Sequence, residues 1–292
     1  MATLREIRDR IVGIRKTQKI TRAMKMVAAA KLRRAQTAIL NARPYARSMR
    51  DVLAHIRESP EAAQEPLLVQ REVRAAVLVV VTSDRGLCGA FNATIVRAAL
   101  TRIAARSEAE NRAGTLRIVC IGKKGGDAFT RRGFAVAAKH TGLSLSPPFA
   151  RAQAIARELR AGFLSGDFDL VEVVSNEFKS AARQQIRVEQ YLPVPPGEGE
   201  SRRAAADYIY EPGRAALVRA LLPRHLDFQL WRMLLESAAA EQGARMAAME
   251  NATENAGDLI GHLQLSYNKA RQASITKELL EVVGGAEALR SA

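Results

Sequence analysis

The sequence predicts an α/β fold: one α/β domain flanked by long N- and C-terminal helices that form an antiparallel coiled coil. Three observations predict it. Apolar residues recur at three- and four-residue spacing near both ends of the chain. Between those ends, short apolar runs alternate with helical patterns. Charge is also unevenly spread, since residues 1–58 hold +11 of a formal net charge of +15, from fifteen Lys and Arg against four Asp and Glu. At 292 residues and 48% hydrophobic, the chain can bury a sizeable core.

Residues 1–58 form the N-terminal coiled-coil helix. Thr3 is a suitable N-cap, with Glu6 three positions on completing a capping box. The seam runs through Leu4, Ile7, Ile11 and Ile14, then resumes at Ala28, Leu32, Ala35, Ile39, Ala42, Ala46, Met49, Leu53 and Ile56. The slots between are polar: Gln18, Thr21 and Lys25. A second apolar stripe, Ile20, Met24 and Val27, fills that gap, which predicts a seam broken and rotated near residues 17–27. Pro44 is expected to bend the helix unless a long coiled-coil partner holds it. Some 55 residues make a rod of about 80 Å, against a radius of gyration of about 19 Å for a compact chain of this whole length.

Residues 59–74, with Pro60 and Pro66, are a linker, and residues 75–211 are the α/β domain. The run at 75–82 suits a strand buried on both faces. A glycine-containing turn at 83–92 (SDRGLCGAFN) leads into a helix over about 93–107. Residues 116–122 (LRIVCIG) are a second strand, followed by 123–127 (KKGGD) and a short helix. Further strands are expected at 134–138, 169–175 and 185–191, with a helix over 150–165. This alternation gives a mostly parallel, Rossmann-like sheet. The stretch 193–206 is a Pro- and Gly-containing excursion. Residues 212–292 form the C-terminal coiled-coil helix, interrupted early by Pro223, with Leu226, Leu230, Leu234, Ala238, Met246, Met249, Thr253, Ala256, Ile260, Leu263, Tyr267, Ala270 and Ser274 in its seam.

Several chemistries find no support. No apolar run approaches the roughly 18 residues needed to span a bilayer, and the N-terminus lacks the apolar stretch of a secretory signal. Cys88 and Cys120 are the only cysteines, and His55, His140, His225 and His262 are scattered, so neither a disulfide framework nor a metal site is expected. Gly86–Gly89 and Gly122–Gly126 follow strands but match no phosphate-binding template. Cys88 sits near a helix start, as in a nucleophile elbow, yet position 90 is Ala where that motif wants glycine. The basic segment leaves three readings open: a nucleic-acid arm, a membrane-surface helix, or a helix facing protein. Tyr45 is its only aromatic residue, which disfavours base stacking, and a heptad seam favours a partner helix over lipid.

Four blocks carry a resemblance: residues 14–31 (IRKTQKITRAMKMVAAAK), 82–92 (TSDRGLCGAFN), 241–251 (EQGARMAAMEN) and 263–279 (LQLSYNKARQASITKEL). With them the chain resembles, from end to end, the gamma subunits of bacterial F-type rotary ATP synthases. The resemblance implies a central rotor shaft that is not itself catalytic and carries no cofactor. It implies as partners the alpha and beta subunits of the catalytic hexamer, the epsilon subunit and the c-ring, with no nucleic acid. It further implies a peripheral place on the cytoplasmic face of the bacterial inner membrane, reached through the c-ring. By matching position, Met24, Lys25, Arg85, Cys88, Arg245, Arg271 and Gln272 are expected to contact the beta subunits. Leu279, Leu280, Val282 and Val283 are expected to form the tip that turns in an apolar bearing. The family's thiol-regulated members carry an added cysteine pair that this sequence lacks, so regulation of that kind is not expected.

Overall fold

The computed structural model describes residues 3–57, 64–105, 116–143, 146–180, 184–195, 210–211 and 213–290. In chain order the elements are α1 (Leu4–Arg57), β1 (Ala76–Val81), α2 (Phe91–Ala105), β2 (Leu116–Ile121), α3 (Lys123–Thr130), β3 (Val136–His140), α4 (Phe149–Ser165), β4 (Leu170–Phe178), β5 (Gln184–Leu192) and α5 (Arg214–Arg290). Among the described residues, no helix is long and apolar enough to cross a membrane.

The sheet has the order β3-β2-β1-β4-β5. β1 pairs in parallel with β2 and β4, β2 in parallel with β3, and β4 antiparallel with β5. The chain thus winds outward from β1 through β2 to β3, then returns by α4 to the other side of β1, the doubly wound pattern. The apolar run AVLVVV explains why β1 is central, because a strand covered on both faces has no polar side to show. Its Val77, Val79 and Val81 enter a core with α4 and the early part of α5, including Ile155, Leu159, Phe163, Leu222, Leu226 and Leu230. Its Leu78 and Val80 enter the opposite core with Phe91, Ile95 and Ala99 of α2 and Phe129 of α3.

Two compact units partition the chain. One comprises Met1–Val27 with Met246–Ala292, the other Ala28–Arg245. In the first, Ile7, Ile11 and Ile260 form a core, flanked by Ile14, Leu263, Tyr267 and Ala270. Residues later in α1 meet residues earlier in α5, so the pairing is antiparallel. The capping box forms as the sequence predicts: Thr3 N donates to Glu6 Oε2 at 2.9 Å and Glu6 N to Thr3 Oγ1 at 3.3 Å.

Four expectations need correction. The seam of α1 is not rotated at residues 17–27. Thr21 is buried, while Ile20 and Val27 of the supposed second stripe are 60% and 53% exposed. The polar slots stay inward because α5 supplies partners: Thr21 Oγ1 lies 2.7 Å from Thr253 Oγ1, and Gln18 Nε2 donates to Thr253 O at 3.3 Å. Pro223 does not interrupt α5. Core packing of the fully buried Leu222 and Leu226 carries the helix past it, against an interior-proline cost of about 3 kcal/mol, and Arg160 Nη1, 2.9 Å from the Pro223 carbonyl, ties this turn to α4. The short helix expected after KKGGD begins at Lys123 and takes that stretch in as its first turn. The third strand lies at Val136–His140 rather than 134–138, because Phe134 packs edge-on against Phe129 with ring centroids 5.7 Å apart. Most of the expected 193–206 excursion lies outside the described residues.

Candidate functional site

Two groups of side chains stand out, one in each compact unit. In the paired-helix unit, Lys25 Nζ lies 2.5 Å from Glu250 Oε1, one helical turn beyond the Thr21–Thr253 contact. One hydroxyl donates across that contact while the other donates within its own helix, where Gln18 O lies 3.1 Å from Thr21 Oγ1 and Met249 O 2.7 Å from Thr253 Oγ1. Such a layer tolerates burial because no polar group is left unpaired. It also fixes register, since a shift of either helix would orphan all of these groups. Met24 beside it is half-buried. A groove of about 370 Å³ is lined by Arg15, Gln18, Lys19, Arg22, Gly257 and Ile260. Three cations border it with no carboxylate in its lining, a chemistry suited to an acidic side chain. Further along α5, Arg271 and Gln272 are exposed, as are Leu279, Leu280, Val282 and Val283.

The second group is the loop after β1. Its base is held by side-chain hydrogen bonds: Asn92 Oδ1 accepts from Ser83 N at 3.0 Å, and Asn92 Nδ2 donates to Ser83 Oγ at 2.7 Å. Asp84 ties it sideways, accepting from Lys123 N and from Gly142 N, each at 3.0 Å. The Asp84 carboxylate therefore occupies the N-terminus of α3, the place a phosphate takes in nucleotide-binding sheets of this layout. Gly122, at φ 103, belongs to the same fit: a Cβ there would stand 2.1 Å from the Thr82 carbonyl oxygen. These glycines let α3 approach β1 and shape no cradle for a nucleotide.

Arg85 and Leu87 project from this loop, both exposed. Cys88, expected at a partner interface, is instead 1% exposed. Its sulfur accepts from Asn92 Nδ2 at 3.2 Å, and burial pushes its thiol up from the usual range, opposed chiefly by Ser83. The reason is the Cys88–Phe91 turn, which folds the small side chain under α2 beside Phe91 and Ile95. Arg245 is also turned inward. Its Nη1 lies 2.6 Å from Glu241 Oε1 and its Nη2 donates to Gly86 O at 3.2 Å, with side chains only 11% and 3% exposed. Burial pushes the Glu241 carboxyl upward, and Arg245 pulls against that. Neither Leu87 nor Glu241 is marked by sequence pattern. The signals for them are a left-handed backbone and an ion pair within α5 whose arginine also donates to a distant loop, which only the three-dimensional structure reveals. Among the described residues, no group of three or more His, Cys, Asp or Glu could hold a metal ion.

The chain thus combines a unit of paired terminal helices with an α/β unit, and its distinctive residues lie on surfaces and at joints between elements. Residues 3–289 match the model of the ATP synthase family. The chain is 48% identical over 291 residues to the ATP synthase gamma chain of Chlorobaculum tepidum, covering 99% of this chain and 100% of that one. It is 46% identical over 290 residues to the gamma chain of a Geobacter species, again covering 99% and 100%. The chain belongs to the ATP synthase gamma chain family. Among solved structures it resembles a central-stalk chain of the Tetrahymena thermophila mitochondrial ATP synthase, with TM-score 0.59 and 27% identity over 80% of this chain and 99% of that one. A chain of the Euglena gracilis mitochondrial ATP synthase shares the fold, with TM-score 0.68 and 22% identity over 99% and 95%.

Proposed function

We propose that this protein is the central rotor shaft of a proton-translocating ATP synthase. It couples c-ring rotation driven by proton flow to conformational changes at the catalytic beta subunits, for ATP synthesis and, in reverse, hydrolysis. The observation that carries this reading is end-to-end similarity to gamma chains, including both terminal helices. An asymmetric shaft acts by presenting different contacts to each surrounding subunit, and each contact biases a conformational equilibrium by its differential affinity. Its partners are the alpha and beta subunits, the epsilon subunit and the c-ring, and its place is peripheral, on the cytoplasmic face of the inner membrane.

Residues 1–58 and 212–292 supply the shaft and residues 75–211 its base. Met24 and Lys25, with the outward Ile20 and Val27, make one contact band on the shaft. Arg271 and Gln272 make a second by hydrogen bonding, and Leu279, Leu280, Val282 and Val283 turn as the apolar tip. Arg85 serves as a contact on the base. The experiment is reassembly: the full chain mixed with alpha and beta subunits should restore ATP hydrolysis, and alone should hydrolyse none. Robust hydrolysis by the purified chain, or no activation on mixing, refutes the reading. Arg271→Ala with Gln272→Ala should reduce torque while assembly survives.

A further inference from the structure

We propose that Glu241 and Arg245 are positioning residues whose buried ion pair pins the Gly86 carbonyl and so holds Arg85 and Leu87 outward as a fixed contact tooth. The inference deepens the shaft reading and rests on it. Leu87 carries two burdens that folding alone does not explain. It sits at φ 63, the only non-glycine residue with positive φ among those described, and its side chain is 64% exposed. A leucine adopts that backbone only when its surroundings impose it, and such strain gathers at working surfaces. The next residue, Cys88, points the opposite way into the core, and Gly89 is again left-handed at φ 58. The loop is bent so that one side chain is planted while its neighbour is raised.

Planting Cys88 and tying Asp84 fix the two feet of the loop and leave its crest at Gly86–Leu87. The Gly86 carbonyl is where the long helix reaches it, through Arg245 Nη2 at 3.2 Å. A nearly buried guanidinium can stay there only beside a carboxylate, and Glu241, one turn earlier, provides it at 2.6 Å. An apolar pair would fill the same space with equal stability, so what the ion pair adds is direction: one donor to the carboxylate, another to the loop. The crest presents a cation and an isobutyl group, with exposed Lys123 and Lys124 nearby; Lys124 Cε would lie 3.9 Å from a Cβ at Gly86. That surface fits an acidic protein face with an apolar spot, on a subunit of the catalytic hexamer.

The test uses the full chain, free and reassembled with alpha and beta subunits. In the free chain, Glu241→Gln should speed amide exchange at residues 86–89 by about tenfold, as expected when a charge-assisted hydrogen bond is lost, with β1 unchanged. Reassembled, Glu241→Gln should lose torque, and so should Leu87→Ser, which leaves loop exchange as in the parent. If Glu241→Gln does not fold, the pair Glu241→Gln with Arg245→Met, which buries no unpaired charge, should show the same rise in exchange. Unchanged exchange in whichever of these variants folds overturns the pinning. Full torque in Glu241→Gln and Leu87→Ser overturns the contact role. Failure of the parent chain to activate alpha and beta defeats the shaft reading instead, while leaving the exchange result to decide the pin.

Discussion

Removing Asp227 should destabilise the α/β body more than removing any exposed charge. Asp227 is 5% exposed on α5 and pairs with Arg160 of α4, itself 12% exposed. Gln153 Nε2 also donates to Asp227 Oδ2 at 3.0 Å. Asp227→Ala would leave one nearly buried cation without its counter-charge and one half-buried amide without its acceptor. Stranding a buried charge costs about 3–5 kcal/mol, and a central value of about 4 kcal/mol lowers the melting temperature by roughly 8–16 °C in a unit of this size. The control is Arg160→Met with Asp227→Leu, which removes both charges and should recover most of the loss. Circular dichroism melts of the full chain measure both. A fall under about 2 °C for Asp227→Ala, the shift of less than 1 kcal/mol expected of a solvated pair, would refute the reasoning. So would a double variant less stable than the single one.

Three further outcomes follow from the structure. Burial pushes the Cys120 thiol up to about 11 and raises Cys88 as well; both should resist alkylation at pH 8 in the folded chain and react on unfolding, as timed by mass spectrometry. His140 is lowered from its ordinary 6.5, first by burial and then by Arg151, with Glu158 opposing. The unfolded chain therefore binds more protons just below pH 6.5, so stability falls as pH drops there, and His140→Gln should flatten that slope in urea titrations. Thr21→Val and Thr253→Val should each cost about 1 kcal/mol of local opening in the paired helices, by hydrogen exchange, while the double variant costs less than their sum.

The body of the fold was legible because its strands carry their environment in composition. The AVLVVV run has no polar face, so a central buried strand was its only economical placement. Misplaced elements share one cause, a local signal overruled by a tertiary partner. KKGGD reads as preceding its helix, yet it is part of it, and Gly125 opens α3 onto β1, where a Cβ would stand 2.8 Å from Thr82 Oγ1. Pro223 reads as a stop, but the burial of Leu222 and Leu226 carries the helix through it. The seam reads as broken because Gln18, Thr21 and Lys25 are polar, and their partners Glu250 and Thr253 lie more than 200 positions away. The candidate surfaces were legible only by family resemblance. Position placed Cys88 and Arg245 at an interface, whereas their environments turn both inward.

That inward turn separates two uses of charge in this chain. The buried cations, Arg160 and Arg245, each meet one carboxylate and one backbone carbonyl, and each ties two elements together: Arg160 reaches both partners on α5, while Arg245 pairs with Glu241 on its own helix and reaches the loop carbonyl of Gly86. They are directional, and losing them strands a partner. The basic N-terminal helix differs: Arg15, Lys16, Lys19 and Arg22 are exposed, and exposed ion pairs contribute about 0–1 kcal/mol each and are screened by salt. Contacts of that strength suit a surface that must attract an acidic partner and then release it. A shaft turning among several subunits needs both kinds: rigid joints to carry load, and a weakly held face that no single partner can trap.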